Sequence, residues 1–143
     1  MSRVLVINAH PGHRVRKEIV SGAVNRVLRA EKQPKARLSV ILAGGGFVRA
    51  LNRQYLRHDY DTDVLSFCLE SGKNLEGEIY VNLDRARQQA RSYRVELRDE
   101  IIRLAVHGTL HLVGYDDTAV EDARVMKQRE EEHVAYWRRR RRI

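Results

Sequence analysis

The sequence contains little of what marks several large classes of protein. Cys68 is the only cysteine among 143 residues, so no disulfide can form within the chain. No apolar run approaches the roughly 18 to 20 residues that cross a bilayer, and residues 1–14 lack the apolar segment of a signal peptide. We therefore expect a cytoplasmic protein without a disulfide framework or a membrane partner. The apolar setting of Cys68 predicts a buried strand residue with no chemistry of its own.

What the chain does contain is an ordinary globular mixture with an excess of positive charge. Hydrophobic residues make up 43% and charged residues 32%, a balance that favours a fully folded chain. We expect one domain over residues 1–143, because this length suits a single core. The 27 Lys and Arg against 19 Asp and Glu give a net charge of +8. This charge favours a phosphate-rich partner, although a basic chain can also bind a membrane surface or simply be soluble.

Hydrophobic periodicity divides the chain into strands and helices. Alternating and β-branched segments predict strands at residues 3–7, 37–42, 62–69 and 78–83, the last two as a hairpin. Apolar residues at helical spacing predict helices at 15–28, 47–56, 86–93, 95–113 and 119–137, with the glycines at 44–46 as a hinge. The helix at 95–113 is apolar nearly all round towards its end, which predicts a central, buried helix.

The segment HGTLHLVGYDD, residues 107–117, carries the candidate site. His107 and His111 are four residues apart, so on a helix both imidazoles lie on one face. Gly114 can take the left-handed conformation that ends a helix, which would bring Asp117 back towards them. Two histidines and a carboxylate form a ligand set for a metal whose fourth position is open to water. We expect one Zn²⁺ per chain, with another late first-row ion such as Ni²⁺ as the alternative.

Other interpretations of this segment stay open. His107 and His111 could be core histidines bonded to backbone carbonyls, although the combined spacing of the four residues favours a metal. The spacing also approaches the HExxHxxGxxH pattern of zinc peptidases, but Gly108 stands where such enzymes keep their general base. A metal can activate water near neutral pH without that base, and phosphodiester cleavage chiefly needs charge stabilisation around phosphorus. The missing glutamate therefore favours a phosphodiester over a peptide bond as the substrate.

Three blocks of the sequence resemble one family. HGTLHLVGYDD resembles the HGxLHLxGYDH signature of the YbeY family of bacterial endoribonucleases, also called rRNA maturation factors. LNRQYLRHDYDTDVLSF, residues 51–67, resembles that family's LNxxYRxxDxPTDVLSF, and GEIYV from Gly77 resembles its GDIxI strand. The resemblance implies an α+β fold with a mixed, roughly four-stranded sheet and a central helix that carries the ligands. It also implies a zinc endoribonuclease that acts on single-stranded RNA, at the 3′ end of small-subunit rRNA and in ribosome quality control, with small-subunit proteins as partners.

The chain departs from the family pattern at two positions. The family's third ligand is usually histidine, whereas this chain has Asp117, and a carboxylate binds zinc at a similar distance. We therefore predict that His107, His111 and Asp117 hold the metal and act through a water molecule that the ion activates. Leu56 replaces the family's arginine, so the role of that arginine does not transfer, and the neighbouring Arg57 is a candidate for it.

Further residues near these blocks have two interpretations each. His58, Asp59, Asp63 and Ser66 could line an RNA cleft, although turn and strand roles explain them as well. Asp116 could orient a ligand histidine or belong to a turn. The arginines at 138–142 could contact RNA phosphate or form a solvated terminus.

Taken together, the residues and the resemblance predict a metal-dependent endoribonuclease whose RNA affinity falls as salt rises. One alternative is a metzincin-like zinc peptidase or amidohydrolase, which the HxxxHxxGxxD spacing favours and Gly108 disfavours. The other is a ribosome-assembly factor that binds RNA around a structural metal and does not cleave it. The absence of the family's arginine at Leu56 keeps this second alternative open.

Overall fold

The computed structural model of the chain describes residues 2–140 and contains one four-stranded sheet in the order β1-β2-β4-β3. The strands are β1 (Arg3–Asn8), β2 (Arg37–Ala43), β3 (Val64–Glu70) and β4 (Glu76–Asn82). The helices are α1 (Lys17–Ala30), α2 (Gly45–Leu56), α3 (Leu83–Tyr93), α4 (Leu97–Leu112) and α5 (Val120–Arg140). β1, β2 and β4 run parallel, and β3 pairs antiparallel with β4. The predicted α+β fold with a mixed sheet is confirmed, as is the hairpin of β3 and β4.

The two faces of the sheet pack on different helices because side chains alternate along each strand. On β2, Leu38, Val40 and Leu42 are buried in the largest core cluster, which they share with residues of α1, α3 and α4. Ile41, between them, packs instead on a cluster that contains Val48 of α2. α2 therefore packs on the face of the sheet opposite to α1 and α4, and contacts α3 at the sheet edge.

Helix α4 lies in the middle of the helical layer. It contacts α1, α3 and α5 as well as β3 and β4, and most of its residues are buried. Ile102, Val106 and Leu110, each four residues from the next, lie on one face and pack with α1 and α5 in a second core cluster. The prediction of a central, buried helix is confirmed. The packing of α4 on its neighbours holds its backbone in place, so the side chains at its C-terminal end project from a fixed position.

Two sequence expectations were wrong in this part of the chain. Cys68 is exposed, because β3 is an edge strand and its last three residues are uncovered. The glycines at 44–46 do not form a hinge: Gly44 is the N-cap of α2, and Gly45 and Gly46 already belong to the helix.

Helix ends also differ from the expected positions. α3 begins at Leu83 rather than at residue 86, because the side chain of Asn82 accepts a hydrogen bond from the backbone N–H of Arg85 and caps the helix. α5 continues through Arg140, so the first three arginines of the 138–142 run are helical and exposed. The remaining two, at 141 and 142, lie outside the described residues. Within residues 2–140, no helix combines the length and the apolar character that crossing a membrane requires.

Candidate functional site

The end of α4 and the turn after it carry His107, His111 and Asp117, which we call the α4 group. The helix ends as predicted at Gly114, whose φ is 115°. The backbone N–H of Gly114 donates to the carbonyl of His111 at 3.2 Å, and that of Tyr115 donates to the carbonyl of Leu110 at 3.0 Å. The chain then reverses, and Oδ2 of Asp117 lies 3.9 Å from Nε2 of His107.

Asp116 builds the turn that presents Asp117. Its Oδ1 accepts hydrogen bonds from the backbone N–H groups of Asp117 at 2.7 Å and of Thr118 at 3.2 Å, and its Oδ2 accepts one from the Thr118 hydroxyl at 3.0 Å. Such bonds from an aspartate to the next residues stabilise a tight turn. Asp116 was considered either to orient a histidine or to belong to a turn, and these contacts show that it stabilises the turn.

Glu130, on α5, fixes the imidazole of His107. Nδ1 of His107 lies 2.8 Å from Oε1 of Glu130, a carboxylate whose residue is only 3% exposed. Because a carboxylate can only accept, Nδ1 carries the proton and Nε2 faces Asp117. The hydrogen bond to Glu130 is the largest cause of the raised pKa of His107; burial opposes it, and the charges of Asp63 and Asp117 add to it. A buried carboxylate behind a histidine is a common support for a metal ligand.

Glu130 belongs to a buried network of charges. Nη1 of Arg103 donates to Oε2 of Glu130 at 3.3 Å, while Nε of Arg103 donates to Oε1 of Glu100 at 3.0 Å. Gln89 also donates to Glu100, at 2.7 Å. Burial alone would raise the pKa of Glu130, but the bond to His107 and the positive charges of His107 and Arg103 outweigh it and lower that pKa. The network keeps a charged carboxylate behind His107.

His111, the third member of the α4 group, is exposed. The ligand atoms of the three residues do not all lie within 4.8 Å of one another. Two ligands of one zinc ion, each at about 2.0–2.2 Å from it, are at most about 4 Å apart. The approach of His107 and Asp117 therefore fits a single ion. The donors, two imidazoles and a carboxylate, suit a late first-row metal.

Gly108 faces the sheet rather than the α4 group. A Cβ at this position would lie 2.7 Å from Cγ2 of Ile79 and 2.9 Å from Oγ of Ser66. The hydroxyl of Ser66 also donates to the carbonyl of Gly108 at 3.1 Å, which ties β3 to α4. A glutamate here would have no room and would not point at the α4 group, so the zinc-peptidase alternative lacks its base for reasons of packing as well as of sequence.

The other predicted residues divide between the site and the surface. Asp63 lies close enough to His107 for its charge to raise the histidine's pKa, whereas Ser66 is occupied by its bond to Gly108. His58 is exposed and stacks on Tyr60, with ring centroids 5.2 Å apart and planes 18° apart. Arg57 is exposed and ends α2 with a φ of 57°.

Asp59 is engaged with its neighbours. Its Oδ1 accepts a hydrogen bond from Nε of Arg49 at 3.0 Å, and Arg53 approaches the same oxygen at 3.9 Å. Asp59 therefore supports the loop after α2 and is less available to a ligand than His58 or Arg57.

A second set of ligand-type residues was not anticipated from the sequence. His10, His13 and Asp84, which we call the loop group, have ligand atoms that all lie within 4.8 Å of one another. Across residues 2–140, no other three histidine, cysteine or acidic side chains meet this distance. His10 and His13 lie in the loop between β1 and α1, and Asp84 lies in the first turn of α3. The described residues thus contain two clusters of ligand-type side chains, the α4 group and the loop group.

Comparison with known proteins extends the resemblance over nearly the whole chain. A family model described as Endoribonuclease YbeY matches residues 8–138. A protein named Endoribonuclease YbeY from Salinibacter ruber is 37% identical over 134 residues, which cover 87% of this chain and 85% of the relative. One of the same name from Chlorobium luteolum is 38% identical over 112 residues, 78% of this chain and 82% of the relative. The solution structure of TM1509 from Thermotoga maritima matches with a TM-score of 0.64 and 27% identity, over 98% of this chain and 93% of that one.

Proposed function

The chain belongs to the YbeY family, and from this premise we propose that it is a metal-dependent endoribonuclease of rRNA maturation. Its substrate would be single-stranded RNA at the 3′ end of small-subunit rRNA, and it would act in ribosome quality control with small-subunit proteins as partners. The name of the relatives supports RNA phosphodiester bonds as the target. A net charge of +8 supports a polyanionic substrate whose binding weakens as salt rises.

We assign the metal to the α4 group, with zinc as the preferred ion. One observation carries this assignment: His107 is held at Nδ1 by the buried Glu130, while its Nε2 lies 3.9 Å from Oδ2 of Asp117. The free nitrogen and the carboxylate are thus turned towards each other at a spacing that one ion can bridge. His111, four residues along the same helix, would supply the third ligand.

The chain's own residues would prepare and hold the substrate. A zinc ion bound there would supply activation of a water molecule and stabilisation of charge at the phosphate. Glu130 keeps the His107 ring in one orientation by holding its Nδ1 proton. Arg57 would contact phosphate oxygens, and the exposed face of the His58 and Tyr60 stack would take an unpaired base. A base must be unstacked to use this face, which favours single strands.

The test is cleavage of a labelled RNA that carries the small-subunit rRNA 3′ end, offered single-stranded and annealed to its complement. We would compare zinc-loaded wild type, His111→Ala and Gln128→Ala, a matched control at an exposed position of α5. Wild type and Gln128→Ala should cut the single strand and spare the duplex. His111→Ala should fall to background, while its circular dichroism and its melting temperature in the absence of zinc should match those of the wild type, because the side chain is exposed.

Two results would reject the proposal. Equal cutting by wild type and His111→Ala would remove the α4 group as the catalytic centre. Binding of the RNA without cutting, with either zinc or nickel, would favour the assembly factor that binds RNA and leaves it intact.

A further inference from the structure

We propose that four residues of α1 and α5 form a second RNA-binding site, which holds the phosphate backbone of the substrate away from the α4 group. The residues are Arg26, Arg29, Tyr136 and Arg140, which we call the arginine cluster. The choice of RNA as the ligand rests on the proposed function, whereas the cluster itself rests on its own contacts. The cluster binds phosphates and contacts no bases, so it accepts single and double strands alike.

The packing of α1 against α5 builds this site. The absence of a side chain at Gly22 of α1 allows a close approach, because a Cβ there would lie 3.1 Å from Cη2 of Trp137 on α5. One turn further along α1, Nη1 of Arg26 donates a hydrogen bond to Nδ1 of the buried His133 at 2.5 Å. This contact holds the guanidinium of Arg26 between the two helices.

The positive charges of three arginines act on the side chain of Tyr136. The guanidinium carbons of Arg26 and Arg140 lie 3.9 Å and 4.3 Å from the centroid of its ring. A hydrogen bond from Arg140 is the largest cause of the lowered pKa of Tyr136; burial opposes it, and the charges of Arg140, Arg26 and Arg29 add to it. Because guanidinium groups already lie over the ring, a base cannot stack there without displacing one.

The arginines of the cluster have no acidic partner in the described part of the chain. Across residues 2–140, no carboxylate forms an ion pair with Arg26, Arg29 or Arg140. Arg29 and Arg140 are exposed, and Arg26 is partly buried. Each guanidinium has five N–H donors in a planar fork. Arginines without acidic partners favour phosphate groups, which accept paired hydrogen bonds from such a fork.

The acidic residues closest to the cluster in sequence on each helix have other partners. Oε1 of Glu31, at the end of α1, accepts a hydrogen bond from the hydroxyl of Tyr115 at 3.0 Å. Oε2 of Glu132, on α5, accepts one from Nη1 of Arg129 at 3.4 Å. The positive charge of the cluster therefore remains available to an anion from outside the chain.

The end of α5 favours RNA over a lipid membrane as that anion. Arg138 and Arg139, next to Arg140, are also exposed, so this part of the helix presents consecutive arginines. A helix that binds a membrane surface needs an apolar face to bury, and none of these three positions supplies one. The phosphates of a nucleic acid require only positive charge and hydrogen-bond donors. A partner with a regular row of phosphates therefore fits this surface better.

The arginine cluster is separate from the α4 group but uses the same helix. Glu130, which holds His107, comes six residues before Tyr136 and ten before Arg140 on α5. At about 1.5 Å per residue, the cluster lies about 9 to 15 Å from Glu130 along the helix. At about 3.4 Å per phosphate along a helical strand, about five nucleotides span this distance. One RNA molecule is thus long enough to occupy both places.

The experiment measures binding of a labelled RNA duplex to the full, metal-free chain by fluorescence anisotropy over a range of salt. A duplex has no unpaired base and is not the proposed substrate, so its binding reports on phosphate contacts. The test variant is Arg29→Gln, Arg140→Gln, because both side chains are exposed and the fold should not change. The matched control is Arg87→Gln, Arg91→Gln, which removes two exposed arginines of α3 and changes the net charge equally.

The test variant should bind the duplex at least about 10-fold more weakly than wild type at about 50 mM salt, because hydrogen bonds from two charged groups are lost. The slope of the logarithm of affinity against that of salt concentration should fall by about two, one for each lost phosphate contact. The control should keep the affinity and the slope of the wild type. The variant Arg29→Lys, Arg140→Lys keeps both charges and should keep the slope.

The outcomes separate the cluster from the proposed function. Equal affinities in the test variant and the control, or no duplex binding by wild type, would overturn the cluster, and cutting of the single strand by zinc-loaded wild type would still support the nuclease. Weaker duplex binding in the test variant alone, together with no cutting by zinc-loaded wild type, would support the cluster and reject the nuclease.

Vesicles of phosphatidylcholine and phosphatidylserine test the membrane as the ligand. Wild type and the test variant should bind them equally weakly in a sedimentation assay. If the test variant loses vesicle binding but keeps the duplex affinity of the wild type, the ligand is a membrane surface and the RNA site is overturned.

Discussion

The α4 group and the loop group contain the same kinds of side chain, two histidines and an aspartate, but different contacts hold them. Behind His107 stands the carboxylate of Glu130, which is 3% exposed and paired with Arg103. His10 and Asp84 accept hydrogen bonds from backbone N–H groups, that of Gly12 in the loop after β1 and that of Gly45, the first residue of α2. In the loop group the ligand-type atoms of all three side chains lie within 4.8 Å of one another, whereas those of the α4 group do not all meet this distance.

The difference shows that fixing the orientation of one side chain and bringing all three side chains close together are separate properties. A buried charge network orients His107 firmly, and it depends on the packing of α4 against α5. Backbone N–H groups hold the side chains of His10 and Asp84 at the sheet edge but leave Asp84 half exposed. We therefore expect the stability of the fold to depend on the supports of the α4 group much more than on those of the loop group.

The largest expected effect on stability comes from neutralising one carboxylate in each region of the metal-free chain, Glu130 beside the α4 group and Asp84 in the loop group. Glu130→Gln breaks a buried ion pair, so it should lower the free energy of unfolding by about 3 kcal/mol, the low end of the usual range because Arg103 keeps Glu100. Asp84→Asn breaks a partly exposed pair and should cost less than about 1 kcal/mol. Urea titration measures both losses of unfolding free energy. Equal losses would contradict the expected difference between the two groups.

Glu130→Gln also tests whether Glu130 supports metal binding at the α4 group. Glu130→Gln should weaken zinc binding at the α4 group about 10- to 100-fold, as expected when a carboxylate behind a histidine ligand is lost. Glu131→Gln, one residue further along α5 and exposed, is the control and should change neither stability nor affinity. Unchanged zinc affinity in Glu130→Gln would show that Glu130 supports folding alone.

A smaller effect is expected from adding one methyl group in each region. Gly108→Ala places a Cβ 2.7 Å from Ile79, and such overpacking costs about 1–3 kcal/mol, more than the roughly 1 kcal/mol that alanine returns in a helix. Gly12→Ala meets only His10, at 3.4 Å, so its effect should stay within about 0.5 kcal/mol. Chemical denaturation distinguishes them, and a neutral Gly108→Ala would mean that α4 can move away from the sheet.

The smallest effect concerns His133, a buried histidine of α5 whose partner is a cation. Nη1 of Arg26 lies 2.5 Å from its Nδ1, and burial together with the charge of Arg26 lowers the pKa of His133 below 6.5. The stabilisation from neutral His133 is thus present above pH 6.5 and lost as the pH falls through the lowered pKa. The stability difference between metal-free wild type and His133→Gln should shrink from pH 8 to pH 5. A stability difference that does not vary with pH would contradict the lowered pKa of His133.

The fold was predictable because each element buries one face. Alternation along β2 and the helical stripe of α1 are properties of the local sequence, and both elements appear close to the expected positions. The errors occur where tertiary position decides. Cys68 has an apolar setting, but its exposure depends on β3 being at the edge of the sheet. The start of α3 depends on the cap from Asn82, which periodicity does not contain.

The candidate sites were predictable only where the spacing is local. His107 and His111 share a helix face, and the turn at Gly114 brings Asp117 to His107. Glu130 was missed because it reaches His107 from another helix, although a signal existed. It lies on the stripe of buried residues Met126, His133 and Val134, where a charged side chain needs a buried partner.

The loop group left no comparable signal. His10 and His13 are three residues apart in a loop, and Asp84 is more than seventy residues away. Only the parallel pairing of β1, β2 and β4 places them at one edge. This order of strands is a property of the folded chain and cannot be derived from any one segment.

Gly108 limits what evolution or protein design can make of this scaffold. Its contacts with Ile79 and Ser66 leave no volume for a side chain on that face of α4. A chain that acquired glutamate here would lose the packing of the helix on the sheet before it gained a proteolytic base. Conversion to a protease would require α4 to rotate or lift, with new side chains on β3 and β4 to fill the gap. At this position, exchange of the glycine for glutamate alone would therefore clash with the sheet instead of supplying a proteolytic base.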